Sequence, residues 1–207
     1  MTSYVLTIDD HPLFRQALKL AVQRAAPETE TVEAACLADA KQTLAARGRP
    51  LLTLLDLRLP DADGFSGLLE LKMALDGAPI ALVSGDESPG IAASAMKLGA
   101  AGFIAKSSSL DTIVDAVTHL IGGMTWFQTD TVPASPSAER LASLTTAQQR
   151  VLVGLQKGLL NKQIAYESGI SEATVKAHMT AIFRKLGVHS RTQAVLAAKQ
   201  ILTSDLV

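Results

Sequence analysis

The chain has 207 residues, more than one average domain of about 100 to 150 residues and comfortable for two. Its 48% hydrophobic content excludes a disordered chain, while no apolar run of about 18 residues and no basic, signal-like start is seen, so a membrane role is set aside and a cytoplasmic location expected. The net charge of −1 divides unevenly: residues 1–130 carry 10 Lys and Arg against 16 Asp and Glu, giving −6, whereas 145–207 carry 8 against 3, giving +5, which suits a polyanion partner for the second part.

Short apolar runs at 4–8, 31–35, 51–55, 80–83 and 102–105 have strand length, and four of the five are too apolar to leave one face in water. Between them lie helical patterns, such as Leu13, Ala17, Leu20, Ala21 and Val22, or Ile113, Val114, Val117, Leu120 and Ile121. Five strand–helix units predict an α/β doubly wound five-stranded parallel sheet. The single cysteine, Cys36, forms neither a disulfide nor a metal site and reads as core filler. From 126 to 143 the chain turns rich in Pro, Ser and Ala and reads as a linker.

After it only helices are expected, four of them. Thr145 with Gln148 forms a capping box, and that helix ends near Gly158. Asn161 caps a second helix closed by Gly169, Ser171 caps a third that runs to Gly187, and a fourth covers 191–202. The second and third form a helix-turn-helix pair. On the third, Val175, Met179, Ile182, Phe183 and Leu186 make an apolar stripe that leaves Thr174, Lys176, Ala177, Thr180, Ala181 and Arg184 outside it. A solvated amphipathic helix would show the same pattern.

Ligands of a doubly wound sheet bind beyond the carboxyl ends of its strands. Those ends carry Asp9 and Asp10, Asp56, Ser84 and Lys106. Three converging carboxylates repel one another unless a cation neutralises them, and Mg²⁺ is the hard ion that takes carboxylate oxygens and bridges to phosphate. Asp56 could then attack a phosphoryl group, with Lys106 and Ser84 stabilising its charge. Any one of these residues alone would read as a cap, a turn former or a solvated charge. His11, lacking partner histidines or cysteines, reads as structural or capping.

The segments IDDHPLFRQAL, LLDLRLPDADG, LVSG and GAAGFIAK resemble the acidic-pair, phosphoacceptor, hydroxyl and lysine motifs of the flavodoxin-like receiver domain of two-component response regulators. The resemblance implies that Asp56 is the phosphorylation site and that Asp10, Asp56 and the Arg58 carbonyl hold Mg²⁺, with Asp9 assisting through water. It implies that Ser84 and Phe103 are the switch pair, the ring following the hydroxyl inward. Phe103 stands where tyrosine is commoner, Gly85 where alanine is common, and Ser107 where proline often follows the lysine. The stretch from 144 to 202, with its leading LT, VLVGLQKGLLNKQIA, TVKAH and KLGV, resembles the LuxR-type helix-turn-helix of the NarL/FixJ subfamily. That implies a recognition helix with Lys176 and nearby residues in the major groove and Lys162 or Arg184 near phosphates. Thr146 to Gln148 depart from the usual Pro-Arg-Glu, and Ser168 replaces a packing leucine, which should weaken the contact between the first two helices.

The expected division is a receiver domain at 1–125, a linker at 126–143 and a DNA-binding domain at 144–207. The implied protein is a bacterial transcription factor, not an enzyme beyond its own phosphoryl transfer. Its implied partners are a sensor histidine kinase or small phosphodonor, double-stranded DNA, and a second copy on phosphorylation or DNA binding. The last helix, with Ala194, Val195, Ala198 and Ile201, offers either a dimer surface or an intramolecular packing face. Two readings compete: an aspartate-nucleophile phosphatase, opposed by Arg58 where an acid is needed, and a receiver with vestigial phosphorylation and constitutive or partner-controlled DNA binding.

Overall fold

Each apolar run becomes a strand: β1 (Tyr4–Ile8), β2 (Glu30–Ala34), β3 (Leu52–Asp56), β6 (Ile80–Ser84) and β7 (Gly102–Ala105), with a small hairpin of β4 (Arg58–Leu59) and β5 (Ala62–Asp63) after β3. Helices α1 (Pro12–Ala25), α2 (Leu37–Arg47), α3 (Ser66–Leu75), α4 (Ile91–Lys97) and α5 (Leu110–Ile121) connect them. The computed structural model describes residues 3–75, 77–127 and 133–204. The five main strands are parallel in the order β2-β1-β3-β6-β7. β1, β3 and β6 are buried along their whole length.

Alternation along the strands sends Val5, Leu54, Val83 and Ile104 to the layer of α1 and α5. Leu6, Ile8, Leu55, Leu82 and Phe103 face the other layer, with α2, α3 and α4. β3 begins and ends one residue later than expected, because Leu51 is 41% exposed while Asp56 still pairs in register with Val83. β6 likewise runs on to Ser84. In α1 the expected stripe is corrected. Pro12 opens the helix, so Phe14, Leu18, Ala21, Val22 and Ala25 form the packed face, and Leu13 is left 88% exposed, with Leu20 also in solvent.

The C-terminal module contains α6 (Pro136–Ala142), α7 (Thr146–Gln156), α8 (Asn161–Ser168), α9 (Glu172–Leu186) and α10 (Arg191–Ser204). Helix α6 lies inside the stretch expected to be linker. Ser135 caps it by accepting from the Ala138 N–H at 3.1 Å, and Ala138 and Leu141 are buried, but seven residues are too few to display a helical period. Trp126 also belongs to the sheet, its carbonyl accepting from the Phe103 N–H at 2.8 Å. The remainder of that stretch, 128–132, lies outside the described residues.

The capping box of Thr145 and Gln148 forms, Gly169 and Gly187 close their helices in left-handed conformation, and Ser171 caps α9. Asn161 does not cap α8. The Gln163 carbonyl oxygen accepts from the Leu160 N–H at 2.7 Å instead, and Asn161 Oδ1 faces Arg191 Nη1 at 3.3 Å. Ala194 and Ala198 are fully buried within the chain as α10 packs on α7 and α9, so this face is intramolecular; the Ile201 side chain lies outside what is described.

The two modules share one apolar core, α3 lying against α7 and α4 against α6. Ser94 Oγ accepts from the Ser135 N–H at 3.2 Å. Glu70 of α3 pairs with Lys41 of α2 and, at 3.1 Å, with Lys157 at the end of α7. Met73 of α3 borders a small cleft between α7 and α8 lined by Gly154, Ile164 and Ser168. Among the described residues no helix is long and apolar enough to cross a membrane.

Candidate functional site

Register alone brings the candidate groups together. Ile8 pairs with Leu55, Asp56 with Val83 and Ser84 with Ala105, so Asp9, Asp56, Ser84 and Lys106 leave adjacent strand ends on one edge of the sheet. Asp9, Asp56 and Ser84 are buried, and Asp10 stands in solvent. Lys106 Nζ reaches between the strands, 2.7 Å from Asp56 Oδ2 and 2.7 Å from Asp9 Oδ2. The contact with Asp56 is an aligned hydrogen bond. That with Asp9 is a charge contact only, and Asp9 Oδ2 remains a buried acceptor without a hydrogen-bond partner. The ammonium also lies over the Phe14 ring, 4.9 Å from its centroid.

Burial pushes the Asp56 carboxyl above its ordinary range; the Lys106 hydrogen bond and the Arg58 amide, donating at 3.1 Å, pull it back only in part, and the Asp9 charge adds to the rise. Burial draws Lys106 down, but the hydrogen bond to Asp56 and the charges of Asp56 and Asp9 outweigh this and hold its pKa above the usual value. One cation thus faces three carboxylates. Oxygen or nitrogen atoms of Asp9, Asp10, His11 and Asp56 all lie within 4.8 Å of one another, an acidic cluster consistent with metal binding.

His11 occupies the residue before α1 without capping it. Its Nδ1 lies 2.7 Å from Asp10 Oδ1, 3.2 Å from Asp9 Oδ1 and 3.8 Å from Asp56 Oδ2, so the side chain belongs to the acidic cluster rather than to the helix end. Ser84 Oγ accepts from the Asp86 N–H at 3.0 Å, which leaves its own proton free to be donated into the cleft it lines. Phe103 is buried in the layer of α3 and α4, its ring already inside.

Asp86, Asp61 and the contact made by the Arg58 guanidinium escaped the sequence reading. Arg58 Nη2 spans to Asp86 Oδ2 at 3.4 Å along the cleft wall. Burial raises the Asp86 carboxyl, but bonds from Ser88 and the Arg58 charge outweigh it and hold the group below the ordinary range. Asp61, beyond the β4 turn, accepts from the Leu37 and Ala38 N–H groups at 2.9 Å each and so ties the loop after Asp56 to the start of α2. The sequence signal for Asp61 was only its place in a turn.

In the second module Val175, Ile182 and Leu186 are buried, and Lys176, Ala177, Thr180 and Arg184 stand exposed along the opposite face of α9. Lys162 is exposed at the start of α8. Thr174 is half-buried, its hydroxyl engaged with Ser171 Oγ at 2.9 Å, and the Thr180 hydroxyl donates to the Lys176 carbonyl at 3.1 Å. Both hydroxyls are thus used locally, whereas Lys176, Lys162 and Arg184 have no side-chain partner among the described residues. Among the described residues the first module does not cover Lys176, Ala177, Thr180 or Arg184.

Comparisons agree with both halves. The receiver-domain model of response regulators matches residues 5–118, and the model for bacterial regulatory proteins of the luxR family matches 142–198. A glycerol metabolism activator of Pseudomonas putida is 37% identical over 95% of this chain and 95% of its own. The transcriptional regulatory protein YdfI of Bacillus subtilis is 33% identical over 97% and 98%. Among solved structures, RcsB dimers bound to two parallel DNAs share the fold at 18% identity, with a TM-score of 0.56 over 96% and 98% of the chains. A LuxR family DNA-binding response regulator from Silicibacter pomeroyi is 28% identical, with a TM-score of 0.52 over 61% of this chain and 96% of that one.

Proposed function

The chain belongs to the DNA-binding response regulators that join a receiver domain to a LuxR-type helix-turn-helix, and from that premise we propose that Asp56 is its phosphorylation site and Lys176 its principal base-reading residue. The observation that carries the first half is Lys106 Nζ held 2.7 Å from oxygens of both Asp9 and Asp56, a half-buried cation already placed where charge on a transferred phosphoryl group would be met.

A metal fits the donor set. Asp9 Oδ2 is a buried acceptor without a hydrogen-bond partner, and the surplus carboxylate charge beside it is the chemistry of a hard divalent ion. Asp10, Asp56 and the Arg58 carbonyl would hold Mg²⁺, with Asp9 assisting through water. When bound, the ion neutralises the carboxylates and the incoming phosphoryl oxygens. Asp56 forms the new bond to phosphorus as the bond to the donor's leaving group breaks. Lys106 pairs with one phosphoryl oxygen, and Ser84 turns from the Asp86 amide to donate to another. In this way the receiver catalyses its own phosphoryl transfer from a sensor histidine kinase or a small phosphodonor, and dephosphorylation is the attack of water on the same phosphorus with the Asp56 carboxylate as leaving group and inorganic phosphate as product.

We place the receiver at 1–125, the connection at 126–143 and the DNA-binding domain at 144–207, working in the cytoplasm. Lys176 and Ala177 would enter the major groove, with Thr174 and Thr180 beside them and Lys162 and Arg184 on phosphates. A second copy is expected on DNA, since one recognition helix reads only a half-site. Phosphorylation biases the receiver between two states, with Ser84 and Phe103 as the switch pair. Acetyl phosphate with Mg²⁺ tests the site: one phosphoryl mass is gained by the wild type and none by Asp56→Asn. Equal labelling of both would move the site elsewhere.

A further inference from the structure

We propose that Phe14 is a positioning residue for phosphoryl transfer, its ring face holding the Lys106 ammonium in the cleft while that ammonium changes partners from the Asp56 carboxylate to the phosphoryl group. The inference rests on the assignment of Asp56 as the phosphorylation site.

Lys106 needs such a support. It follows β7 at the edge of the sheet, yet its ammonium meets Asp56 and Asp9, which belong to the ends of β3 and β1 further across. The Lys106 N–H anchors the residue by donating to the Ser84 carbonyl at 2.7 Å, but a flexible four-carbon stem separates that anchor from Nζ. At rest the ammonium donates to Asp56 Oδ2. Asp56 gives an oxygen to phosphorus, so this hydrogen bond is exchanged for one to a phosphoryl oxygen. The Phe14 ring takes no part in the exchange: Nζ lies over its face, 4.9 Å from the centroid. A ring face attracts an ammonium without accepting a directed hydrogen bond from it, which leaves the N–H groups able to turn from carboxylate to phosphoryl oxygen.

The ring itself is held. Pro12 opens α1, and the His11 carbonyl accepts from the Phe14 and Arg15 N–H groups at 3.1 Å each, so Phe14 stands in the first turn beyond the acidic pair. Arg15 ties that turn to the strand end, its guanidinium donating to the Asp9 carbonyl at 2.7 Å. Phe14 packs against the layer of α1 and α5 and also lines the cleft with Asp56, Ser84 and Lys106. Packing alone asks only for an apolar residue of about this volume. The ammonium asks for a π face.

The test follows phosphorylation of the full chain by acetyl phosphate at saturating Mg²⁺, read as gain of phosphoryl mass. Phe14→Leu keeps apolar bulk but removes the ring face, and should slow the reaction by about fivefold. Mono-, di- and trifluorinated phenylalanine in place of Phe14 keep the ring's shape while withdrawing charge from its face, and should slow it progressively in that order at an unchanged unfolding midpoint. In proton NMR the ring should shift the Lys106 ε-methylene protons upfield, a shift that Phe14→Leu abolishes. Equal rates across the fluorinated series, rates that fall only as the unfolding midpoint falls, a Phe14→Leu rate equal to wild type, or an ε-methylene shift that Phe14→Leu leaves in place each overturn the inference. A wild type that gains no phosphoryl mass overturns the Asp56 reading and the inference with it, an outcome distinct from the others because there is then no rate to compare.

Discussion

In the receiver, Asp9, Asp56 and Lys106 arrive from three different strands, the two carboxylates buried and the lysine partly so, whereas Lys176, Thr180 and Arg184 come from one helix and stand in water. The first set is held against its own electrostatics: carboxylates crowd a cleft with one half-buried cation between them. The second has nothing to hold, because its charges lie on the outside of a helix whose other face does the packing. A site that must stabilise a transferring group is assembled before the group arrives, and stability is given up for it. A surface that meets a polyanion needs only shape and sign.

Mutations should separate these two constructions sharply. Lys106→Ala leaves the Asp9 and Asp56 carboxylates buried without their counter-charge and should cost the receiver about 3 kcal/mol in denaturant unfolding, with Mg²⁺ recovering part of the loss. No loss would mean that the cleft is already solvated. Lys176→Ala should weaken DNA binding by about 1–3 kcal/mol and relax preference at one base pair, yet leave stability within about 0.5 kcal/mol. A matching loss of stability would show that the exposed face of α9 also packs.

Smaller effects sharpen the contrast. Asp56→Asn removes a buried charge whose pKa is raised by burial and by Asp9, and should stabilise the receiver by on the order of 1 kcal/mol. Destabilisation would mean that the Lys106 bond outweighs the repulsion. Glu70 titrates in the opposite sense: burial raises its carboxyl, but Lys41 and Lys157 outweigh it and lower the folded value. Its contribution is present above the unfolded glutamate value of about 4.3 and is lost as pH falls through the lower folded one. Because Lys157 is half exposed, the gain stays below about 1 kcal/mol. The difference in unfolding midpoint between wild type and Glu70→Gln should therefore be present at pH 7 and close in acid; a difference that grows in acid would reverse the assignment.

What could be read from the sequence follows the same division. Continuous apolar runs and their ends located Asp9, Asp56, Ser84 and Lys106, since every side chain involved is a near neighbour of a strong apolar pattern. The outer face of α9 was legible from helical period alone. Contacts made across the fold were not. Asp61, which had no role in the sequence reading, accepts from the Leu37 N–H at the start of α2, 24 residues away. His11 was read as structural or capping, because its approach to Asp56 is made only by the fold. Leu13 matched a helical stripe until Pro12 fixed the phase of α1. Helix α6 was too short to show a period among the prolines and serines before it. Ser168 lines a cleft that Met73 of the other domain also borders, a proximity the sequence does not carry.

The central claim is that a phosphoryl group on Asp56 changes what the exposed face of α9 does to DNA. The direct measurement is the affinity of the full chain for a selected duplex, with and without acetyl phosphate and Mg²⁺, at one fixed salt concentration, in wild type and in Asp56→Asn. The account predicts an affinity change in the wild type that Asp56→Asn does not show. An affinity that stays constant in wild-type protein whose mass shows it to be phosphorylated would contradict it.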